Sequence, residues 1–301
     1  MGVIAILNPL SGAGADPAIA QQRVALVRSI GEQRNIAVDA TLTERAGHAR
    51  ELARRAAASG APLVIAWGGD GTINGVGCAL MGTRTPLGVV PAGSGNGLAS
   101  ALGLPWQPHA ALAAAFDGMD KTIDAGMLAN RPFFNVAGIG FDAHVARLFN
   151  ERPRGRRGKM PYVTISVREG CRYAAAEYRL TLDGRTTKLP ALLITFANGQ
   201  EFGMGARIAP KAKLDDGLLD AVVVEDRSVV SRFLDVPYLA FAAVHRARGV
   251  RITHIKEARI ETDGPIEYHV DGEPGVTEGS VDVRIVPGAL RVRVPRADVR
   301  G

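Results

Sequence analysis

Leu63-Val64-Ile65-Ala66-Trp67-Gly68-Gly69-Asp70-Gly71-Thr72 is the stretch on which the fold turns. Leu63–Trp67 is an apolar run of strand length that stops at a cluster of glycines. A helical pattern opens at Thr72, so the stretch predicts a strand, a tight turn and a helix start. Such a turn presents main-chain N–H groups to an anion, and the helix behind it adds the positive end of its dipole. Gly68, Gly69 and Gly71 leave room for a phosphate against bare backbone, with Asp70 standing among them. A carboxylate beside a triphosphate makes chemical sense when it holds Mg2+ or takes a proton. Thr72 can cap the helix or donate to phosphate. The plainer alternative is a helix entry with Asp70 as its cap.

The same unit recurs on both sides. Upstream, Val3–Leu7 ends at Asn8-Pro9 and runs through Leu10-Ser11-Gly12-Ala13-Gly14 into a helix over Pro17–Ile30, with Ile19, Val24, Val27 and Ile30 on one face. Val38–Leu42 and the helix His48–Ser59 follow. Downstream, Leu87–Val90 leads into Pro91-Ala92-Gly93-Ser94-Gly95-Asn96-Gly97 and another helix. This alternation predicts a parallel sheet with helices on both faces and a ligand at the carboxyl ends of its strands. Three glycine turns on neighbouring strands would make one concave anion site, though the first alone could merely close a strand–helix connection.

After about Ile123 the pattern changes. Phe133–Val136, Tyr178–Leu182, Ala191–Ala197, Leu218–Val224, Arg251–Ile255, Ile266–Val270, Val281–Val286 and Leu290–Val294 read as short strands. Asp183-Gly184 and Asp271-Gly272 read as hairpin turns, and Asp142–Phe149 and Ser228–His245 as helices. The expectation is an α/β domain over 1–123 and a β-rich, sandwich-like domain over 124–301, with the last strand able to return to the first domain.

Composition narrows the class. The chain has 301 residues, 47% apolar and 22% charged, which excludes a disordered or fibrous protein. Lys plus Arg is 36 against 30 Asp plus Glu, a net charge of +6 that suits nucleotides, anionic membrane surfaces or nucleic acid. Cys78 and Cys171 form no metal-ligand spacing, so a reducing cytosol is the expectation. Met1–Pro9 lacks a basic stretch and its apolar run is short, so a signal peptide is not expected there, and no uninterrupted run of about 18 apolar residues occurs in the sequence. The basic run Arg152–Lys159 reads as a solvated loop, with a lipid-headgroup or phosphate contact as its alternative.

Gly68-Gly69-Asp70-Gly71-Thr72 resembles the GGDGT signature of the diacylglycerol-kinase catalytic family, which also contains sphingosine and ceramide kinases. That family resembles NAD kinases and phosphofructokinases in its N-terminal parallel-sheet domain. Three more segments resemble the bacterial soluble lipid kinases: Asn8–Gly14, Asp124-Ala125-Gly126 on to Phe134–Ala143, and Leu214–Asp220 with the late Asp271-Gly272-Glu273. They occur in the family's order across nearly the whole chain, whereas NAD kinases share mainly the GGDGT segment.

The resemblance implies roles. Asn8, Thr43, the segment Gly68–Asn74 (Gly68, Gly69, Asp70, Gly71, Thr72 and Asn74) and Ser94 match positions that contact ATP. Ser11, Gly12, Gly93 and Asn96 belong to the same phosphate-facing turns. Glu273 matches the proposed general base, with Asp70 as its catalytic companion. A structural Mg2+ would sit at Asp216 with backbone oxygens of Lys213 and Leu218; an ion-free Asx turn is the alternative. Asp124, Lys159 and Asp215 or Asp216 match an interdomain charge network. Ala13 stands where relatives often carry Lys, and Ser94 and Gly97 replace the Thr and Asp of the usual GTxND turn.

Phosphoryl transfer to an alcohol needs a phosphate cradle, a metal and a base. The glycine turns, Asp70 and Glu273 answer those needs, acting from two domains across a cleft. Asp271 competes for the base role but reads better as a turn residue. The implied activity is transfer of the ATP γ-phosphate to the hydroxyl of a lipid such as diacylglycerol, with ATP and Mg2+ as cofactors. The expected partner is a lipid met at a membrane surface by a peripheral, cytoplasmic enzyme, without nucleic acid, and a homodimer is allowed for. The Ser228–His245 stretch reads as buried core, with an acyl-chain groove as its alternative. The six histidines read as non-catalytic. An NAD kinase and a nucleotide- or lipid-binding regulator without turnover are the competing functions.

Overall fold

The computed structural model describes residues 2–12, 16–152, 159–170, 172–202, 207–226 and 249–296. The chain divides into two compact units, one of Met1–Ile123 with Gly288–Gly301 and one of Asp124–Pro287.

In the first unit four parallel strands, β1 (Val3–Leu7), β2 (Val38–Leu42), β3 (Val64–Gly68) and β4 (Leu87–Pro91), lie in the order β2-β1-β3-β4. Helices α1 (Pro17–Glu32), α2 (His48–Ala58), α3 (Asp70–Leu80), α4 (Gly97–Ala101) and α5 (Pro108–Asp117) alternate with them. Asp16 caps α1 by accepting the Ala18 N–H at 2.8 Å, and Pro17 occupies the first turn, where no N–H is needed. The buried face of α1 is Ala20, Val24, Val27 and Ile30; Ile19, expected on that face, is exposed. It stands one residue, about 100° of helix, away from Ala20. Val3, Leu7, Val24, Val27, Ile65, Trp67, Val90, Leu112 and Phe116 share one core. Register aligns the strand ends: Leu7 pairs with Leu42 and Trp67, and Gly68 with Pro91. The turns that follow therefore emerge at one level. The chain's last strand also joins this unit: Val292 pairs parallel with Leu87, and Ala289 accepts the Gly82 N–H.

The second unit is antiparallel. After β5 (Met119–Leu128) come β6 (Arg131–Phe133), β7 (Val136–Gly140), α6 (Phe141–Asn150), α7 (Lys159–Gly170), β8 (Ala176–Leu182), β9 (Arg185–Ala197), β10 (Leu219–Glu225), β11 (Val250–Ile255), β12 (Glu257–Val270) and β13 (Glu273–Val294). Pairing runs β11-β10-β9-β7-β12-β13, with β8 paired to both β9 and β12. Alternation along β9 sends Ile194 and Phe196 into one core and Leu193 and Ala197 into another, where Val136, Phe141, Val145 and Ile165 meet them. Asp183-Gly184 and Asp271-Gly272 are two-residue turns with positive φ at both positions, the hairpin geometry that Asp-Gly favours.

Several strand expectations are corrected. Phe133–Val136 is not one strand: β6 stops at Phe133 and β7 starts at Val136, because the Asp271 carboxylate takes the N–H groups of Phe134, Asn135 and Val136. The strands expected at Val281–Val286 and Leu290–Val294 are parts of a single β13, and β12 begins at Glu257 rather than at Ile266. Helix α7 opens at Lys159, where the basic run was expected to be loop. The Ser228–His245 stretch, Ala13, Gly14, Cys171 and the Lys159 side chain lie outside the described residues. No described helix is long and apolar enough to cross a membrane.

Candidate active site

Asn8, Thr43, Gly68 and Gly93 each stand at or just beyond the carboxyl end of one parallel strand. The edge is tied together by its own polar groups. Asn8 donates its N–H to the Trp67 carbonyl (2.9 Å), and Thr43 donates its own to Leu7 (2.8 Å). The Asn8 side chain donates to the Thr72 hydroxyl at 2.9 Å and accepts the Leu10 N–H at 2.9 Å, joining the first turn to the start of α3. Ser11 closes the first turn by donating its hydroxyl to the Asn8 carbonyl at 2.8 Å.

Beneath this turn lies a cation that the sequence reading missed. Arg23 of α1 donates to the Ser11 hydroxyl (3.1 Å) and carbonyl (3.0 Å), and its guanidinium stacks 5.6 Å from the Trp67 ring centre. Burial pulls its pKa below the ordinary arginine value. A Cβ on Gly12, whose φ is +88°, would stand 3.0 Å from that guanidinium. The spacing of twelve residues from Ser11 carries no local signal.

The second and third turns abut. A Cβ on Gly93 would lie 2.6 Å from the Gly69 Cα and 2.9 Å from Asn96 Oδ1. Asp70 bridges them: its Oδ2 accepts the Asn96 N–H and its Oδ1 the Gly97 N–H, each at 2.8 Å. Asn96, 1% exposed, folds its amide back onto Gly93, accepting its N–H at 2.9 Å and donating to its carbonyl at 2.7 Å. Asn74 accepts the Cys78 thiol one turn into α3, and Ser94 is exposed on its turn. Asp70 thus ties the two loops together.

In the second unit Glu273 is exposed and opens β13, paired with Val270 across the hairpin. Its neighbour Asp271 is committed to three N–H groups at 2.9–3.1 Å, which makes it the turn's fastening rather than a base. Asp216 accepts the Leu218 N–H at 3.1 Å, the Asx turn weighed against an ion. The buried Asp124 accepts the Gly217 N–H at 2.7 Å. Nearby Asp220 is buried, and that burial raises its carboxyl pKa. The Asp216 carboxylate and the main-chain carbonyls of Lys213 and Leu218 are oxygen donors, the chemistry of a hard cation. Among the described residues no group of three or more His, Cys, Asp or Glu forms a metal cluster.

Residues 2–128 match the diacylglycerol kinase catalytic domain, and residues 135–294 match the YegS C-terminal NAD kinase beta sandwich-like domain. The chain belongs to the diacylglycerol kinase catalytic-domain family. Within it, a diacylglycerol kinase of Mycobacterium tuberculosis is 34% identical over 98% of this chain and 95% of its own. A probable YegS-like lipid kinase of Chromohalobacter salexigens is 29% identical over 95% of this chain and 92% of its own. A putative diacylglycerol kinase from Bacillus anthracis superimposes with a TM-score of 0.80 at 22% identity, covering 99% of this chain and 96% of that one. An NAD kinase from Archaeoglobus fulgidus in complex with ATP gives 0.54 at 11% identity, covering 97% and 93%. The fold is therefore that of the family, an NAD kinase-like α/β domain followed by a sandwich-like β domain.

Proposed function

We propose that this protein is a lipid kinase that transfers the γ-phosphate of ATP to the hydroxyl of a lipid such as diacylglycerol. The observation that carries the reading is the levelled strand edge, where Gly69 and Gly93 meet too closely for any side chain and leave bare backbone beside Asp70. Two glycines abutting at the ends of neighbouring strands carry no side chain to screen their main-chain N–H groups, which suits a phosphate chain. Asn8, Ser11, Gly12, Thr43, Gly68–Thr72, Asn74, Gly93, Ser94 and Asn96 are the residues assigned to ATP. Bound Mg2+ would neutralise charge on the phosphates. Asp70 orders the two turns and supplies negative charge beside them. Glu273 takes the hydroxyl proton as the new O–P bond forms and the bond from the γ-phosphorus to the β–γ bridging oxygen breaks, with ADP leaving. Asp216 with the Lys213 and Leu218 carbonyls is the candidate for a second, structural Mg2+.

The departure at Gly97 fits this reading. What the turn takes from position 97 is its main-chain N–H, which donates to Asp70 and does not depend on the side chain. The names of the relatives support a lipid acceptor, and the net charge of +6 suits work at an anionic membrane surface. The decisive test is incubation of purified protein with labelled ATP, Mg2+ and a panel of diacylglycerol, sphingosine, ceramide, phosphatidylglycerol and NAD. Label should enter a lipid. Label in NAD alone would establish the competing kinase, and ATP binding without any product would establish a regulator.

A further inference from the structure

The segment Gly138–Asp142 and the histidine set aside as non-catalytic meet inside the second unit. His269 on β12 and Asp142 in the first turn of α6 are 3% and 4% exposed, and Thr195 of β9 is fully buried beside them. The Thr195 hydroxyl donates to Asp142 Oδ2 at 3.0 Å. His269 Nε2 lies 3.0 Å from the same oxygen. The ring N–H does not aim along that line, so the contact is electrostatic rather than a formed hydrogen bond. Gly138 permits the approach, since a Cβ there would stand 2.0 Å from Asp142 Oδ2 and 2.8 Å from His269 Nε2.

The other side of the ring faces the turn that precedes Glu273. His269 Nδ1 accepts the Gly272 N–H at 3.2 Å. A ring nitrogen that accepts carries no proton, so the proton sits on Nε2, the edge beside the Asp142 carboxylate. The Gly272 carbonyl accepts from Asn150 Nδ2 at 2.6 Å, and the Asp271 carboxylate grips Phe134–Val136. A two-residue Asp-Gly turn closes by its own backbone geometry. It does not need three side-chain anchors, and burying a carboxylate with an imidazole in an apolar sheet is costly. The cluster therefore needs a reason other than closing the hairpin.

We propose that Asp142 and His269 form a positioning pair that seats the Asp271-Gly272 turn and so orients Glu273 to accept the hydroxyl proton. The inference rests on the reading of Glu273 as the base. Thr195 fixes the Asp142 carboxylate, that carboxylate faces the Nε2 edge of the imidazole, and the Nδ1 edge holds Gly272. His269 touches no reacting atom and is a positioning residue.

Two substitutions separate this role from simple packing. His269→Asn places an amide oxygen about where Nδ1 stood and keeps an acceptor for Gly272. His269→Gln places its polar end near Nε2 and leaves the Gly272 N–H without one. Activity is read with radiolabelled ATP, Mg2+ and diacylglycerol in phosphatidylglycerol vesicles. His269→Gln should lower kcat about 10- to 100-fold, the scale of a misplaced reacting group, with KM for ATP unchanged. His269→Asn should keep most of the activity. In a Glu273→Gln background His269→Gln should add no further loss, because both act through one group. Equal losses in the two His269 variants, tracking a lower Tm, would reduce the cluster to packing and overturn the proposal. So would a fully active His269→Gln, or losses that add in the double variant. All three results leave the reading of Glu273 standing. Full activity of Glu273→Gln alone would instead remove that reading, and the proposal with it.

Discussion

Both carboxylate oxygens of Asp70 accept main-chain N–H groups from residues 26 and 27 positions away, Asn96 and Gly97. The GGDGT segment puts a carboxylate among the glycines of the turn. It does not show what that carboxylate holds, because its partners are main-chain atoms of a distant loop. Asp70→Asn keeps the size but turns an NH2 toward an N–H donor. Leaving such a donor unpaired costs about 1–3 kcal/mol, or roughly 10- to 100-fold. Turnover should fall at least that far with the far-UV circular dichroism unchanged; near-normal kcat would remove Asp70 from the site. Arg23 teaches the same lesson from a helix. Its face toward Ser11 and Trp67 is set by packing, not by a motif. Arg23→Met keeps the aliphatic stem and loses two hydrogen bonds to Ser11. It should weaken ATP binding about tenfold by calorimetry and lower stability by about 1–2 kcal/mol. Arg23→Lys should restore little, since one ammonium lacks the planar fork that reaches two oxygens of Ser11 at once. Full rescue by Lys would mean that charge alone matters there.

Strands β1, β3 and β4 were legible because each is an apolar run that leads into a glycine turn; β2 carries Asp39 and Thr41 and is only partly covered, yet its bounds are those expected. The β-rich half was harder. In β13 the exposed Glu273, Pro274 and Glu278 hid the first half of the strand, and the exposed Pro287-Gly288 made the remainder look like two pieces. The gap between β6 and β7 was hidden for another reason. It is made by the Asp271 carboxylate, about 136 residues away along the chain. At the glycine turns the decisive quantity is the approach of one element to another. Gly93→Ala drives a Cβ to 2.6 Å from the Gly69 backbone, which has no side chain to swing aside. Gly82→Ala meets nothing within 4 Å and carries only the strain of φ +70°. Overpacking of the first kind costs about 1–3 kcal/mol, and the left-handed strain of the second about 1–2 kcal/mol. Similar stabilities should therefore accompany different binding: ATP affinity should collapse in Gly93→Ala and persist in Gly82→Ala. Equal ATP affinity in the two proteins would show that the abutment does not shape the site.

The whole molecule adds a constraint that neither residue nor element shows: the first unit draws on both ends of the chain. Residues 288–301 supply Leu290 and Val292, 1% and 0% exposed, together with the pairing of Val292 to Leu87. Arg293 adds a contact to Asp120 at 2.5 Å, and Ala289 accepts the Gly82 N–H. Each large apolar side chain is worth about 1.5–3 kcal/mol when fully buried, so Leu290 and Val292 together supply about 3–6 kcal/mol. A domain's net stability is only about 5–15 kcal/mol. Removing everything after Pro287 should therefore bring the first unit close to unfolding at 25 °C, although every residue assigned to ATP remains in the chain. The antiparallel unit keeps all of Asp124–Pro287. Calorimetric melting of the truncated protein should show one transition shifted sharply downward or lost, with a second near its original temperature, and ATP binding should disappear along with the first. Retention of ATP binding with a single unshifted transition would mean that β4 needs no partner at Leu87. The sheet edge that carries Gly93 would then be fixed by residues 1–123 alone.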